Sequence, residues 1–150
     1  MSIPAYSYET HVKWTGRRRG TMGAPGLPDL EVSVPPEFKG EAGRWTPEHL
    51  FVAAAEICLM ATFVGIAENS KLTVAGYQSS ARGRLEKVED GGLRFTEIAI
   101  AVVITLESLD DLGRAERVLA KAEKGCLIAN SMMARIRVDP TFVKKASLAA

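Results

Sequence analysis

The longest apolar run of the chain lies near its centre. Over residues 50–67 nearly every residue is apolar or small, and the ionisable side chains within the run are Glu56 and Cys58. Thr46 precedes the run and can cap the first turn of a helix. We predict a helix that begins here and reaches about Asn69. Because this helix has no broad polar face, it must be enclosed by a sheet, by other helices or by a second subunit.

Two alternating segments follow the helix. The segments "LTVAGYQSSARGRLEKV" and "GGLRFTEIAIAVVITL" are typical of long strands, and the Asp90-Gly91 pair between them is a hairpin signal. In the second segment alternate residues form one apolar face, because side chains in a strand repeat with a period of two. We expect this face to pack on the long helix; it consists of Ile98, Ile100, Val102, Ile104 and Leu106.

The two ends of the chain add further elements. Near the start, "AYSYETHVKW" and "LEVSV" indicate extended structure, separated by a segment rich in glycine and proline. Near the end, "SLDDLGRAERVLAKAEKG" predicts a second helix with Ser108 as its cap and Gly125 at its C-terminus. Its narrower apolar stripe is Leu109, Leu112, Ala115, Leu119 and Ala122. The segment "ARIRVD" predicts a last strand. This order of elements indicates an α+β fold. No linker or repeat marks a domain boundary, so we expect one domain that spans residues 1–150.

Composition and charge narrow the class of protein. The chain has 150 residues, 47% of them apolar and 25% charged, with a net charge of +1. This balance is ordinary for one globular domain and gives no reason to expect nucleic acid or an anionic membrane as a partner. The start of the chain lacks the pattern of a secretory signal, so we expect a cytoplasmic protein. A carboxylate in the middle of the apolar run favours a buried core helix over a membrane span.

The metal-binding residue types are few. The chain has two cysteines and two histidines, and neither His11 nor His49 is spaced from a cysteine as in a zinc site. These residues therefore make a weak zinc site, and we expect no metal.

Cys58 is the first candidate for chemistry. Taken alone it is better explained as core packing, since free cysteine is among the most buried residue types. Apolar burial raises the pKa of a thiol, so a reactive thiolate would need a cation from elsewhere in the fold. The turn "GRRRG" can supply one, although its ordinary role is a solvated basic turn. Glu48 complements the helix dipole, but it can also hold an arginine beside a thiol that lies about 15 Å further along the axis.

Cys126 is the second candidate. It stands at an element boundary, where a half-buried capping residue is the ordinary interpretation. Paired with Cys58 it becomes a candidate resolving thiol, which captures a sulfenic acid as a disulfide. The sequence separation leaves open whether the two sulfurs meet.

Three motifs resemble the OsmC/Ohr family of organic hydroperoxide reductases. "TPEHLFVAAAEICLMAT" is similar to the family's central-helix motif, and "AEKGCLIANSM" is similar to its second-cysteine motif. "VKWTGRRRGTM" resembles its N-terminal strand and arginine-bearing turn. The resemblance covers residues 12–138.

The resemblance implies a fold and a set of roles. The fold would be OsmC-like, with a long central helix packed against a curved antiparallel sheet in an intertwined homodimer whose active sites lie at the interface. Cys58 would be the peroxidatic cysteine, Cys126 the resolving cysteine and Glu48 the carboxylate beside the activating arginine. Our alignment assigns that arginine to Arg18. The family uses no metal or flavin, and its reductant is a dithiol, in some members a lipoylated protein.

The neighbouring arginines and several departures from the family pattern bear on these roles. Arg17 and Arg19 remain alternatives to Arg18, because the three arginines are consecutive. Thr46 stands in place of the usual Asn, Leu127 in place of the Pro after the second cysteine, and Ala129 in place of a Ser. A carboxylate beside the thiol would raise its pKa, but Glu56 is two residues from Cys58, about 200° around the helix, so we expect these side chains to point apart.

The leading hypothesis is a cysteine-based peroxidase that reduces organic hydroperoxides. A first alternative is a non-catalytic OsmC-like dimer that binds a small apolar ligand at its interface. A second is an interaction protein that uses the basic turn to contact an acidic partner. Neither alternative explains why two cysteines lie in two family-like motifs.

Overall fold

The computed structural model describes residues 3–146. Within them the chain forms two compact units, the first ending at Phe51 and the second beginning at Val52. The single domain expected from the sequence stays a prediction. The long helix α1, Pro47–Asn69, begins in the first unit and continues into the second.

The first unit contains a small antiparallel sheet. Its strands are β1 (His11–Gly16), β2 (Arg19–Gly23) and β3 (Leu30–Ser33), in the order β1-β2-β3. The extended structure expected from "AYSYETHVKW" is a regular strand only from His11 onward. Arg17 forms the tight turn between β1 and β2 with a φ of 49°, and its carbonyl accepts a hydrogen bond of 2.8 Å from the Trp14 indole. The turn that carries the three arginines is therefore held by local contacts.

The predicted start of α1 is confirmed in detail. The Thr46 hydroxyl accepts a hydrogen bond of 3.0 Å from the backbone N–H of His49, and the Thr46 carbonyl accepts the bond from Leu50. This is the geometry of a helix N-cap, which satisfies donors that the first turn leaves free. The helix ends at Asn69, as the sequence indicates, and Lys71 follows it with a φ of 56°.

The second unit is built on a three-stranded sheet. Its strands are β4 (Val74–Lys87), β5 (Leu93–Leu106) and β6 (Arg135–Lys144), in the order β4-β5-β6. β4 and β5 form the predicted antiparallel hairpin. β6 instead lies parallel to β5, so this sheet is mixed, whereas the resemblance implied an antiparallel one. The chain leaves β5 and crosses through two helices before it returns, which allows the last strand to run in the same direction.

Two helices form this crossover. They are α2 (Leu112–Gly125) and α3 (Leu127–Asn130). Ser108 caps the segment as predicted, but its hydroxyl accepts from the backbone N–H of Asp110 in a 3₁₀ turn that precedes α2. Because of this turn, Leu109 and Leu112 are left exposed. The residues of α2 that are buried are Ala115, Val118, Leu119 and Ala122.

The core lies between α1 and the sheet of the second unit. The predicted apolar face of β5 is buried over its whole length, and the buried residues of α1 are Ala55, Leu59, Phe63 and Ala67. The Phe63 and Tyr77 rings pack with their centres 5.6 Å apart. At Gly83 a Cβ would come within 2.5 Å of Val52, so α1 approaches β4 too closely there for any side chain. The expected packing of the long helix on a sheet is confirmed.

A second face of α1 remains open in the single chain. Ile57, Met60 and Val64 are 60%, 42% and 37% exposed. Among the described residues, α1 is the one helix long and apolar enough to cross a membrane by length and composition, a test that core helices also pass. The chain itself therefore supplies only part of the enclosure that the sequence requires for this helix.

Candidate active site

Two reduced thiols from different elements define the candidate site. Cys58 lies on α1 beside the buried face of the helix and is half-buried, whereas Cys126 is fully buried. Cys126 occupies the single extended residue that ends α2 and precedes α3, with φ −71° and ψ 100°. This break in the helical path directs the Cys126 side chain into the core.

The two sulfurs meet, which the sequence alone left open. The two thiols lie close enough for Cys126 to lower the pKa of Cys58 and for Cys58 to raise the pKa of Cys126. Gly125, the residue before Cys126, lies against Thr62, one turn after Cys58 on α1. The end of α2 is thus seated on the same stretch of α1 that carries Cys58.

The environment of Cys58 favours its thiolate. Burial by itself raises the pKa of this thiol, but hydrogen bonds to the sulfur outweigh that effect and leave the pKa below its usual value. In order of size, the donors are the backbone N–H of Ile128, the Cys126 thiol, the Thr62 hydroxyl and the backbone N–H of Leu127. The Thr62 contribution is limited, because its proton is already donated to the Cys58 carbonyl at 2.7 Å and its oxygen lies 3.9 Å from the sulfur.

Cys126 titrates in the opposite direction. Burial raises the pKa of its thiol, and the adjacent Cys58 sulfur raises it further, while backbone N–H groups of Ala129 and Ile128 partly offset this. The pair is therefore polarised, with negative charge preferred on Cys58 and the proton retained on Cys126.

Leu127 has a role that its sequence position did not reveal. A proline after the second cysteine, as in the family pattern, has no backbone N–H, whereas Leu127 donates one to the Cys58 sulfur. From the sequence we expected that only a cation from elsewhere in the fold could offset the effect of burial on the pKa of Cys58. The structure shows that backbone N–H groups also offset it. Backbone donors of the second unit already lower the pKa of Cys58.

Glu56 lies on another side of α1, as its position on the helix predicts. Its carboxylate accepts a hydrogen bond of 2.5 Å from the Ser79 hydroxyl on β4. It is not among the main causes of the pKa shift of Cys58. Glu56 thus joins the helix to the sheet, away from the peroxidatic candidate.

Tyr77 is a neighbour of the site that sequence reasoning missed. Its hydroxyl is buried with no hydrogen-bond partner among residues 3–146, and burial together with the charges of Glu56 and Cys126 raises its pKa to about 12. No sequence signal marks it, because it reaches the site from β4 through the fold of the sheet. Its orphaned hydroxyl is a local cost that an apolar ring would not carry.

The candidate arginines and Glu48 belong to the first unit. Arg18 donates a hydrogen bond of 3.3 Å to the Phe38 carbonyl, and Arg19 pairs with Glu41 at 3.4 Å. With Arg17 they line a cavity of about 570 Å³ that also includes Lys39. One oxygen of Glu48 is buried without a partner, and within residues 3–146 no ion pair joins Glu48 to these arginines. The Glu48–arginine pair stays a prediction.

A smaller cavity of the second unit lies directly against Cys126. It has a volume of about 260 Å³ between α1, the end of α2, α3 and β6. Most of the residues that line it have apolar side chains, with Glu123 and Asn130 as exceptions, but polar atoms make up the larger part of the exposed lining surface. Partial burial raises the pKa of the Glu123 carboxyl. Within residues 3–146, no three His, Cys, Asp or Glu side chains are grouped so that they could hold a metal ion.

The fold and the site define an α+β protein in which a long apolar helix presents one of two adjacent thiols. The chain belongs to the OsmC-like protein family, whose model matches residues 40–141.

Comparison with individual proteins agrees with this assignment. The chain is 25% identical to the uncharacterized protein YmaD of Bacillus subtilis (strain 168) over 131 residues, which is 84% of this chain and 86% of YmaD. It is similar to the structure of an OsmC-like protein of unknown function, VCA0330, from Vibrio cholerae, with a TM-score of 0.82 and 24% identity over 91% of this chain and 100% of that one. It is also similar to an organic hydroperoxide resistance protein from Elizabethkingia anophelis, with a TM-score of 0.74 and 22% identity over 95% and 99% of the two chains.

Proposed function

We propose that this protein is a cysteine-based peroxidase that reduces organic hydroperoxides to alcohols. The single observation that carries the proposal is the polarised thiol pair, in which Cys58 is held as the better nucleophile beside Cys126. The similarity to a protein described as an organic hydroperoxide resistance protein supports the choice of substrate class.

The reaction has two steps at the thiol pair. The Cys58 thiolate attacks the outer oxygen of the hydroperoxide, the O–O bond breaks, and the alkoxide leaves as the alcohol after taking up a proton. Cys58 is then a sulfenic acid. The Cys126 thiol attacks it, water leaves, and a Cys58–Cys126 disulfide forms. An external dithiol, such as a lipoylated protein, reduces the disulfide and restores both thiols.

Arg18, held by Glu48, is proposed to complete the site. A guanidinium near the sulfur would stabilise the thiolate further and polarise the peroxide. The unpartnered oxygen of Glu48 supports this role, because a buried carboxylate oxygen needs a donor. Arg17 and Arg19 are the neighbouring candidates for the same function.

The assembly is proposed to be a homodimer in the cytoplasm, with residues 1–150 as one domain. The open apolar face of α1, formed by Ile57, Met60 and Val64, supports a second copy as its cover. An active site enclosed by such apolar surface would favour alkyl hydroperoxides over hydrogen peroxide.

The direct test is to treat the reduced protein with cumene hydroperoxide in the absence of any reductant. We expect one equivalent of alcohol and a Cys58–Cys126 disulfide, found by mass spectrometry of the digested protein. Cys58→Ser should abolish peroxide consumption. Cys126→Ser should consume peroxide but accumulate sulfenic and sulfinic acid at Cys58. Wild-type protein that neither consumes the peroxide nor forms the disulfide would refute the proposal.

A second candidate is a non-catalytic dimer that binds a small apolar ligand. The cavity against Cys126, lined mostly by residues with apolar side chains, is the observation in its favour. On this alternative, Cys58→Ser would bind the ligand as tightly as the wild-type protein, and neither protein would consume hydroperoxide.

A further inference from the structure

The cavity beside Cys126 gives access to one sulfur of the pair. Cys126 is the cysteine that lines it among the described residues, while Leu59, the residue after Cys58, contributes the opposite wall. With a volume of about 260 Å³, it suits a slim chain rather than a bulky group. A thiol that entered here would arrive at Cys126.

The chemistry of thiol–disulfide exchange gives this approach a direction. The attacking sulfur, the attacked sulfur and the leaving sulfur lie in one line, so attack from the cavity on Cys126 expels Cys58. The leaving sulfur departs faster when the pKa of its thiol is lower, and the pKa of Cys58 is the lowered one of the pair. The position of the cavity and the lower pKa of Cys58 therefore both favour attack on the Cys126 sulfur.

Glu123 provides a proton acceptor at the same place. It lines the cavity from the last turn of α2, three residues before Cys126. Although the residue is largely exposed, partial desolvation raises the pKa of its carboxyl, so its carboxylate is a stronger base than an ordinary glutamate. An entering thiol must lose its proton before it can attack.

We propose that the reducing thiol enters the cavity at Cys126, transfers its proton to Glu123, attacks the Cys126 sulfur and expels Cys58 as the thiolate. This inference rests on the proposed function, since it concerns the disulfide that peroxide reduction would form. In the first step the S–S bond breaks, Cys58 leaves with the bonding electrons, and a mixed disulfide forms between Cys126 and the reductant.

The second step closes the cycle. The other thiol of the same dithiol gives its proton to solvent and attacks the reductant's own sulfur, and the mixed disulfide breaks to release Cys126, which takes the proton held by Glu123. The dithiol is oxidised by two electrons and the protein disulfide is reduced by two. Glu123 is thus a catalytic residue for the reductive half of the cycle.

The first experiment identifies the attacked sulfur in the wild-type protein. The disulfide is made with diamide, so its formation does not depend on peroxidase activity. It is then treated with 2-mercaptoethanol, and the reaction is stopped early with N-ethylmaleimide at mildly acidic pH. We expect mercaptoethanol on Cys126 and maleimide on Cys58, mapped by mass spectrometry. The reverse labelling would overturn the proposal.

The second experiment tests Glu123 by the rate of disulfide reduction across a pH range. Glu123→Gln should reduce the rate at least about tenfold and remove the inflection of the carboxylate from the pH profile. Glu116→Gln, an exposed change on the same helix, should behave like the wild-type protein. Equal rates and profiles for the two variants would contradict a role for Glu123.

The third experiment obstructs the cavity. Ala129→Leu adds bulk to its wall, whereas Ala120→Leu adds the same bulk on the exposed face of α2. We expect slower reduction by dithiothreitol only in the first variant, with circular dichroism confirming that both are folded. Reduction at the same rate in both would show that the thiol enters elsewhere. A protein that fails to consume hydroperoxide refutes the proposed function separately, because these measurements start from the diamide-made disulfide.

Discussion

At the scale of single residues, nearby backbone N–H groups lower the pKa of the Cys58 thiol. The N–H groups of Leu127 and Ile128 point at its sulfur, and the Cys126 thiol adds a third donor. The two N–H donors belong to the residues that directly follow Cys126. When this segment packs against α1, it therefore places the Cys126 thiol beside Cys58 and stabilises the Cys58 thiolate at the same time. An arginine would add to this effect rather than create it.

Replacing Leu127 tests the backbone contribution. Leu127→Pro removes one N–H donor, so we expect the pKa of Cys58 to rise and its reaction with cumene hydroperoxide at neutral pH to slow several-fold. Leu127→Ala keeps the donor and is the matched control. The thiolate absorbance near 240 nm, followed against pH, reports the pKa directly. The same titration curve for both variants would contradict the assignment.

Tyr77 gives a prediction about alkaline stability. Its folded-state pKa of about 12 lies above the ordinary value of 10.0, so the folded protein binds the phenol proton more tightly than the unfolded chain. The resulting stability is complete below about pH 10 and is lost as the pH rises towards 12. Urea unfolding of Tyr77→Phe should therefore depend less on pH in this window than that of the wild-type protein.

Tyr8→Phe is the control for this measurement, because Tyr8 is 90% exposed. Its stability should follow that of the wild-type protein at every pH. If the free energy of unfolding changed with pH equally in Tyr77→Phe and in the wild-type protein, ionisation of the Tyr77 phenol would not be the cause of the loss of stability at high pH.

Residues differ in how far the sequence could anticipate them. Cys58 and Cys126 could be singled out because thiols are rare and their chemistry is distinctive. The hydrogen bond from Ser79 to Glu56 could not be predicted, because it joins side chains 23 residues apart on elements whose register only the fold decides. The same holds for the Leu127 N–H, which is chemically identical to every other backbone donor in the chain.

At the scale of elements, the Thr46 hydroxyl caps the start of α1, as the sequence predicts. Thr46→Ala should lower the free energy of unfolding by about 1 kcal/mol, because the His49 N–H loses its acceptor. Thr46→Ser retains the hydroxyl and should lose less. Chemical denaturation of both variants measures the difference. An equal loss in the two would mean that the methyl group, buried with the rest of Thr46, matters more than the cap.

Most elements could be predicted from local sequence patterns, whereas the pairing between segments far apart in the sequence could not. The helix α1, the β4–β5 hairpin and the buried face of β5 follow from periodicity and turn residues within a few positions of each other. The parallel pairing of β6 with β5 does not, since it depends on how a crossover of two helices is routed. The 3₁₀ turn before α2 likewise changed which residues of the predicted stripe are buried.

At the scale of the whole molecule, the proposed dimer would form through the open face of α1. We expect the wild-type protein to have the mass of two chains in light scattering after size exclusion. Ile57→Asp places a charge on the open face and should yield single chains or aggregates. Leu109→Asp, at a comparably exposed apolar residue outside α1, should leave the mass unchanged. A wild-type mass of one chain would contradict the proposed dimer.

The parallel pairing of β5 with β6 also has a consequence for biosynthesis. The β4–β5 hairpin closes through local contacts, whereas β6 can dock only after the crossover that carries Cys126 has been made and folded. Until then Cys58 lacks both its thiol neighbour and the N–H donors of Leu127 and Ile128. A nascent or misfolded chain therefore has two ordinary, slowly reacting thiols. If the protein is the peroxidase proposed above, its sensitivity to oxidant would arise only once the crossover that carries Cys126 has packed against α1.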